Sequence, residues 1–362
     1  MCSTVFTGGT LDIAAHEILP GKRLHEISVA RGNDMGGHYF NQKCLEVFEE
    51  MFGKECLENW KTKYCKDFLD MERKIEEMKR KVTMEDFDIQ FRVDRSLSNT
   101  YKTSSNGKDI QEFEKEFSKI VESSTRRMAY LILKNEFLRE FVKQVVMAIE
   151  KYLTEIITDS PAIKTIFMVG GLAKSTFVRQ YIETQFPECR VIVPEDPGVA
   201  VLKGAVLLGN RPQTIASRVA RYSYGVRVRD EFVEGKHREE YKINRKGRIM
   251  CENVFEKLIE KGQVLKYGQR FTTTLGINAM LPETKQAIFY THLYHSTQPS
   301  PMYVTEDGCF NIGGFEMHPP EGGWPDYCEG KVDIIVGEAE FRLVVSDGFG
   351  RNYESTIDFL LS

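Results

Sequence analysis

A chain of 362 residues exceeds the length at which one core usually stops growing, so roughly two domains are expected. Apolar content of 41% with 28% charged residues excludes a chain disordered throughout. The net charge of −4 gives no general case for a nucleic acid or an acidic membrane surface as partner.

Cys2, Cys44, Cys56, Cys65, Cys189, Cys251, Cys309 and Cys328 show neither a CxxC pair nor zinc-like spacing, and read as free thiols of a reducing, cytoplasmic compartment. The N-terminus lacks a basic segment followed by a long apolar one, and no run approaches membrane-spanning length.

In chain order, 5–18 (VFTGGTLDIAAHEI) reads as a strand, a Gly8-Gly9 turn and a returning strand, with a third strand over 24–30. After the turn 32–37 (GNDMGG), a long helical region runs through Val82, with Phe40, Cys44, Val47, Phe48 and Met51 as its buried stripe. Its charged end, 70–81 (DMERKIEEMKRK), taken alone is a solvated face laced with ion pairs. Residues 86–93 (DFDIQFRV) alternate as a strand, and 96–107 form a polar turn region. A long helical tract from Asp109 to about Thr158 follows, with Leu131, Leu133, Phe137, Leu138, Phe141, Val145, Val146, Ile149, Leu153 and Ile156 on its buried face, and Pro161 ends it.

In 164–180 (KTIFMVGGLAKSTFVRQ) an apolar run stops at Gly170-Gly171 and a helix begins near Ser175. Glycine lets a ligand lie against the backbone, and a helix start offers N–H groups to an anion. Alone, such a turn is an ordinary tight turn. The pattern repeats as strand 190–194, turn 195–198 and helix 199–209, which implies parallel strands with both turns on one side. Beyond Arg211-Pro212, short candidate strands at 224–229, 269–275, 287–294, 331–336, 340–345 and 355–360 predict a small all-β domain, a sandwich. His292 and His295, three apart on a strand, face opposite ways and predict no metal site; the Pro/Gly-rich stretch around Trp324 reads as a connection.

Taken in order, GGTLD (8–12), GNDMGG (32–37), EEMKRKV (76–82), VGGLAKS (169–175) and VPEDPGVAVLKGAVLLG (193–209) resemble the heat shock 70 kDa family of the actin-like ATPase superfamily, and within it the divergent heat shock 70 kDa protein 12 subfamily. The likeness runs from about residue 5 to the final IDFLLS. It implies an α/β actin-like ATPase lobe of ribonuclease H-like fold over 1–211, the second lobe of a nucleotide-binding domain. A β-sandwich resembling a lidless substrate-binding domain follows over 212–362. The first lobe is absent, so the chain looks truncated at its N-terminus.

The resemblance further implies that Gly8, Gly9 and Thr10 belong to the second phosphate loop and that Asp12 lies near metal and phosphates. Gly36 and Gly37 would line the ribose and phosphate side. Glu76, Lys79, Arg80 and Thr83 match the adenosine-binding helix pattern, Gly170, Gly171, Leu172 and Lys174 the adenosine loop, and Asp196 the turn after the last strand. Helical spacing puts 76, 79, 80 and 83 on one face, where a cationic stem can stack on adenine while a carboxylate accepts a ribose hydroxyl.

Two departures stand out: Val5 replaces an aspartate that precedes the loop in the family, and the loop carries two glycines in place of three. Phosphoryl hydrolysis needs phosphates enclosed between positioned charges and a water. The expected ligand is therefore ATP or ADP, with Mg2+ once the missing lobe is supplied, and no hydrolysis by this chain alone. The sandwich implies extended client peptides or a partner protein. Two alternatives stay open: a complete ATPase whose first lobe was lost in gene prediction, and a nucleotide-independent protein-interaction module.

Overall fold

The computed structural model describes residues 2–6, 9–85, 88–125, 130–245, 247–337 and 340–358. The chain opens with β1 (Cys2–Phe6), β2 (Leu11–Leu19), β3 (Arg23–Glu26) and β4 (Arg31–Asn33), then α1 (Gly37–Phe52), α2 (Lys54–Lys63), α3 (Cys65–Lys81), β5 (Ile89–Arg92), α4 (Arg95–Ser104) and α5 (Phe113–Glu116). Next come β6 (Val121–Thr125), β7 (Tyr130–Leu133), α6 (Asn135–Asp159), β8 (Thr165–Gly170), α7 (Thr176–Gln185), β9 (Arg190–Ile192) and α8 (Pro197–Asn210). Apart from single 3-10 turns at Pro212–Thr214, Glu239–Tyr241 and Pro282–Thr284, the regular elements described in the remainder are strands: β10 (Ile215–Val219), β11 (Ser223–Glu231), β12 (Lys242–Arg245), β13 (Arg248–Ile259), β14 (Val264–Lys266), β15 (Arg270–Asn278), β16 (Phe289–Ser296), β17 (Cys309–Met317), β18 (Tyr327–Val336), β19 (Glu340–Ser346) and β20 (Asn352–Asp358).

Two compact units emerge, residues 1–15 with 30–207 and residues 16–29 with 208–362. In the first, β1 pairs antiparallel with β2 and parallel with β8, while β9 extends β8 in parallel. Leu11, Ile13, Ile166 and Met168 alternate into the core at 0% exposure, the period of two that buries one face of a strand. The parallel pairing required by two successive strand–turn–helix segments is present.

The expected single helix through Val82 is three. Gly53 at φ 86° ends α1, its N–H closing on the Glu49 carbonyl (2.9 Å), and Tyr64 at φ −128°, ψ 53° breaks the chain again before α3. The stripe of Phe40, Cys44, Phe48 and Met51 is buried as expected, with Val47 at its margin. Trp60, 0% exposed, donates to Ser96 Oγ (2.9 Å), which donates to Asp67 (2.6 Å), so one buried indole ties α2 to α3 and α4.

The polar turn region expected over 96–107 is largely the helix α4. Leu97 and Tyr101, four apart, bury one face, and the hydroxyls of Thr100, Thr103 and Ser104 fold back onto carbonyls four residues earlier, which hides their polarity from the turn signals. The helical tract expected from Asp109 is also corrected: only α6 is a long helix. Upstream, β6 and β7 form an antiparallel pair, and β7 also pairs with β5 from Ile89↔Leu133 to Arg92↔Tyr130. Leu131 and Leu133 are buried two residues apart on a strand face; next to Phe137 and Leu138 they satisfy a helical period equally well. The strand expected over 86–93 occupies 89–92, and residues 86–87 lie outside the described ones.

In the second unit, residues 16–19 pair with β3, β3 with β10, and β10 with β14. Two further antiparallel sheets follow, ordered β12-β13-β11-β16-β17 and β15-β18-β19-β20. Tyr224, Val226, Ile259 and Leu293 from one share a core with Val332, Ile334, Phe341, Leu343 and Val345 from the other. The strands expected at 224–229, 269–275, 287–294, 331–336 and 340–345 are present with shifted ends; that at 355–360 begins at Asn352, and 359–360 lie outside the described residues. β13 and β17 escaped the sequence pattern because Asn253 at φ 61° and Gly313 at φ 143° interrupt their alternation. Trp324 is 1% exposed and donates to the Ala287 carbonyl (2.8 Å), so its loop seals the core rather than merely connecting strands. Among the described residues no helix is long and apolar enough to cross a membrane.

Candidate functional site

The first unit assembles its glycine turns through strand register. β1 and β8 run parallel with Phe6 opposite Gly170, so the end of β1 lies beside the start of the turn after β8. β9, parallel to β8 with Ile192 opposite Phe167, delivers 193–196 to the same side. That side is where α/β sheets hold ligands.

Gly170 has φ 92° and ψ 177°, a conformation confined to glycine. A single 3-10 turn over Gly171–Lys174 follows, then α7, capped by Ser175 Oγ accepting from Val178 N (3.4 Å). Nothing lies within 4 Å of where a Cβ on Gly171 would be, and Lys174 is exposed; Leu172, 5% exposed, packs inward and serves the core. Asp196 is exposed at the head of α8, its carbonyl accepting from Val199 N (3.2 Å) and its carboxylate 3.7 Å from Lys203 Nζ.

Gly8 lies outside the described residues. Gly36, the residue before α1, presses onto the neighbouring backbone: a Cβ there would stand 2.5 Å from Thr10 N and 2.6 Å from Gly9 C. The turn 32–37 therefore lies directly on the chain at 9–10. Thr10 Oγ1 donates to Asp12 Oδ2 (2.8 Å), leaving an exposed carboxylate beside the two turns. Magnesium typically binds one or two carboxylates together with substrate phosphates. Asp12 fits that role.

The end of α3 reaches the same place by a different route than helical spacing implied. Lys79 is 6% exposed and turned inward, its ammonium donating to the Gly37 carbonyl (3.0 Å), Asn41 Oδ1 (3.3 Å) and Glu76 Oε1 (2.8 Å). Glu76 also accepts from Asn41 Nδ2 (2.6 Å). Burial pushes the Glu76 carboxyl upward, but the hydrogen bonds from Lys79 and Asn41 outweigh it and hold the group below its ordinary range. With all three donors engaged, Lys79 is a strut between α3 and the first residue of α1. Arg80 is exposed and makes no hydrogen bond or ion pair among the described residues, although its charge adds to the lowering of the Glu76 carboxyl.

Thr83 is a second correction to the one-face expectation. The helix ends at Lys81, and Thr83 lies beyond it, its hydroxyl donating to the Glu85 carbonyl (3.2 Å) and its own carbonyl accepting from Asn135 Nδ2 (3.3 Å). Glu76 and Arg80 thus keep side chains available to a ligand. Beside Glu76, between α1 and α3, lies a cavity of about 330 Å3 walled by His38, Asn41, Leu45, Leu69 and Ile75. Asn41 and His38 were missed from sequence; the one available signal was their position in the first turns of the helix that opens at Gly37.

No family model matches the chain. The chain is similar to heat shock 70 kDa protein 12A of Mus musculus, 26% identical over 363 residues, covering 98% of this chain and 53% of that protein. It is similar also to heat shock 70 kDa protein 12A of Homo sapiens (27% over 316 residues, covering 86% and 46%) and to heat shock 70 kDa protein 12B of Homo sapiens (24% over 379 residues, covering 98% and 53%). The chain spans about half the length of the curated relatives it matches.

Proposed function

From this distant homology to the heat shock 70 kDa proteins 12A and 12B, we propose that the first unit is an actin-like lobe that binds ATP or ADP, and that the second is a β-sandwich that holds extended peptides, as a chaperone does. The observation that carries the nucleotide reading is the contact of Gly36 with the Gly9–Thr10 backbone, on the side of the sheet where Gly170 ends β8. Bare backbone from two glycine turns, with Asp12 beside them, suits phosphates and their metal; Glu76 and Arg80 suit a nucleoside. The reading assigns binding, not hydrolysis, to this chain.

Isothermal titration with ATP and with ADP tests it. Arg80→Ala is expected to weaken binding about tenfold, in line with a desolvated cation–π contact of ~1.4 kcal/mol or more, while stability stays within ~0.5 kcal/mol because the side chain is exposed. Heats at the level of dilution for both nucleotides would sink the nucleotide reading.

A second reading, association independent of nucleotide, is favoured by α8. Its Val201, Leu202, Val206 and Leu207 are 47, 66, 60 and 65% exposed, and an apolar surface of this kind marks an interaction face. Leu202→Lys with Leu207→Lys is expected to leave stability within ~0.5 kcal/mol per site and to lower the sedimentation coefficient of the protein at high concentration. An unchanged concentration dependence counts against this reading.

A further inference from the structure

Only once does the sequence set two adjacent cations three and two residues ahead of a serine or threonine: Arg80 and Lys81 precede Thr83, and the apolar Met84 follows it. Protein kinases discriminate among substrates by charge patterns of this kind, with carboxylates of the kinase cleft facing the cations. The pattern falls at the end of α3, beside the residues offered to a nucleoside.

The fold presents this hydroxyl as an acceptor. α3 stops at Lys81, Val82 is extended at φ −63° and ψ 127°, and no helix or strand is described again before β5, so Thr83 leaves the helix on extended chain. Arg80, Lys81 and Met84 are exposed and Thr83 is half-buried. The Thr83 hydroxyl donates to the Glu85 carbonyl (3.2 Å) in an exposed setting. The backbone around it is held by α6: Asn135 Nδ2 donates to the Thr83 and Glu85 carbonyls (3.3 and 2.6 Å), and Arg139 Nη1 to that of Met84 (3.2 Å). The last turn of a helix opens at low cost, so the two cations can follow the hydroxyl into a cleft.

We propose that Thr83 is a phosphorylation site for a basophilic protein kinase, and that the phosphate it receives lowers the affinity of the first unit for nucleotide. In the transfer, the bond from the γ-phosphorus of ATP to the β,γ-bridging oxygen breaks as one to Thr83 Oγ1 forms. ADP leaves with the electron pair of the broken bond, and the hydroxyl proton passes to the catalytic aspartate of the kinase. The product carries about −1.5 to −2 charge at pH 7 and presents acceptor oxygens. It can no longer donate to the Glu85 carbonyl. Arg80, three residues back, has a guanidinium without hydrogen bond or ion pair among the described residues, and a planar fork that suits a phosphate. The same side chain cannot serve a phosphate at 83 and a nucleoside at once. The regulatory half of the proposal rests on the reading of the first unit as a nucleotide-binding lobe; the modification itself does not.

The test treats the full chain with Mg2+, ATP and the catalytic subunit of cAMP-dependent protein kinase, a basophilic kinase, and locates phosphate by tandem mass spectrometry. Wild type is expected to take up phosphate at Thr83, and the Arg80→Gln/Lys81→Gln variant to do so at least about tenfold more slowly. After removal of kinase and nucleotide, titration with ADP is expected to show about tenfold weaker binding by the phosphorylated protein than by mock-treated protein. Thr83→Val carried through the same treatment is expected to show no such difference, and circular dichroism checks the fold of each variant. Wild type left unmodified at Thr83 overturns the site. Modification at an equal rate in the double variant overturns recognition through the two cations. Phosphate at Thr83 with unchanged ADP affinity overturns the regulatory half and leaves the nucleotide reading standing. No ADP binding by the mock-treated protein overturns the nucleotide reading and the regulatory half with it, while mass spectrometry alone decides the modification.

Discussion

Gly36→Ala is expected to destabilise the protein by about 2–3 kcal/mol and to weaken nucleotide binding beyond what the lost stability explains. Its Cβ would meet backbone, Thr10 N at 2.5 Å and Gly9 C at 2.6 Å, and backbone cannot swing aside as a flexible side chain can. Conformation is not the obstacle, since φ of −86° is open to any residue. The strain therefore falls on the relation of the turn 32–37 to the segment 9–10, which is the proposed phosphate-binding feature. Gly171→Ala is the matched control: with nothing within 4 Å of its Cβ position, it is expected to melt within ~0.5 kcal/mol of wild type. Urea unfolding and nucleotide titration of the two variants together decide the point, and a Gly36→Ala protein indistinguishable from Gly171→Ala would refute the contact.

Lys79→Met is expected to cost about 2 kcal/mol at neutral pH. Removing one partner of a fully buried pair costs ~3–5 kcal/mol, and the value here is smaller because the Glu76 side chain is 40% exposed and water recovers part of its solvation. The loss arises from the Gly37 carbonyl and Glu76, both left without the ammonium. The sign of the pH dependence follows from Glu76, whose folded-state pKa is lowered. Its contribution is present above the unfolded carboxylate value of about 4.3 and is lost as pH falls through the folded value. The gap in unfolding free energy between wild type and Lys79→Met should therefore narrow on acidification from pH 7 toward pH 3. A constant gap would mean that the Lys79–Glu76 bond contributes nothing, and a variant that loses nucleotide binding at full stability would make Lys79 a ligand-contact residue instead of a strut.

Legibility from sequence followed the range of the interactions involved. The strand, glycine turn and helix of 164–180 were readable because each signal is local: an apolar run, a residue without Cβ, a capping serine. α4 was hidden because its hydroxyls satisfy themselves within the helix, so a composition that reads as turn coexists with a buried Leu97 and Tyr101. Of the proposed site, the glycine positions could be named from sequence, whereas the inward turn of Lys79 could not, since its partner Gly37 lies 42 residues away.

By itself, the sequence determined two kinds of architecture in one chain, an α/β part with parallel strands and an all-β part. Hydrophobic period and glycine or proline punctuation are written residue by residue. Only the tertiary structure decided that residues 121–125 and 130–133 pair as strands, that 16–29 join the second unit, that Gly36 rests on Gly9 and Thr10, and that β11 and β16 pair over only part of their length. Each of these depends on which distant segment supplies the partner for a backbone edge or the space for a side chain, and short-range pattern carries no record of that choice.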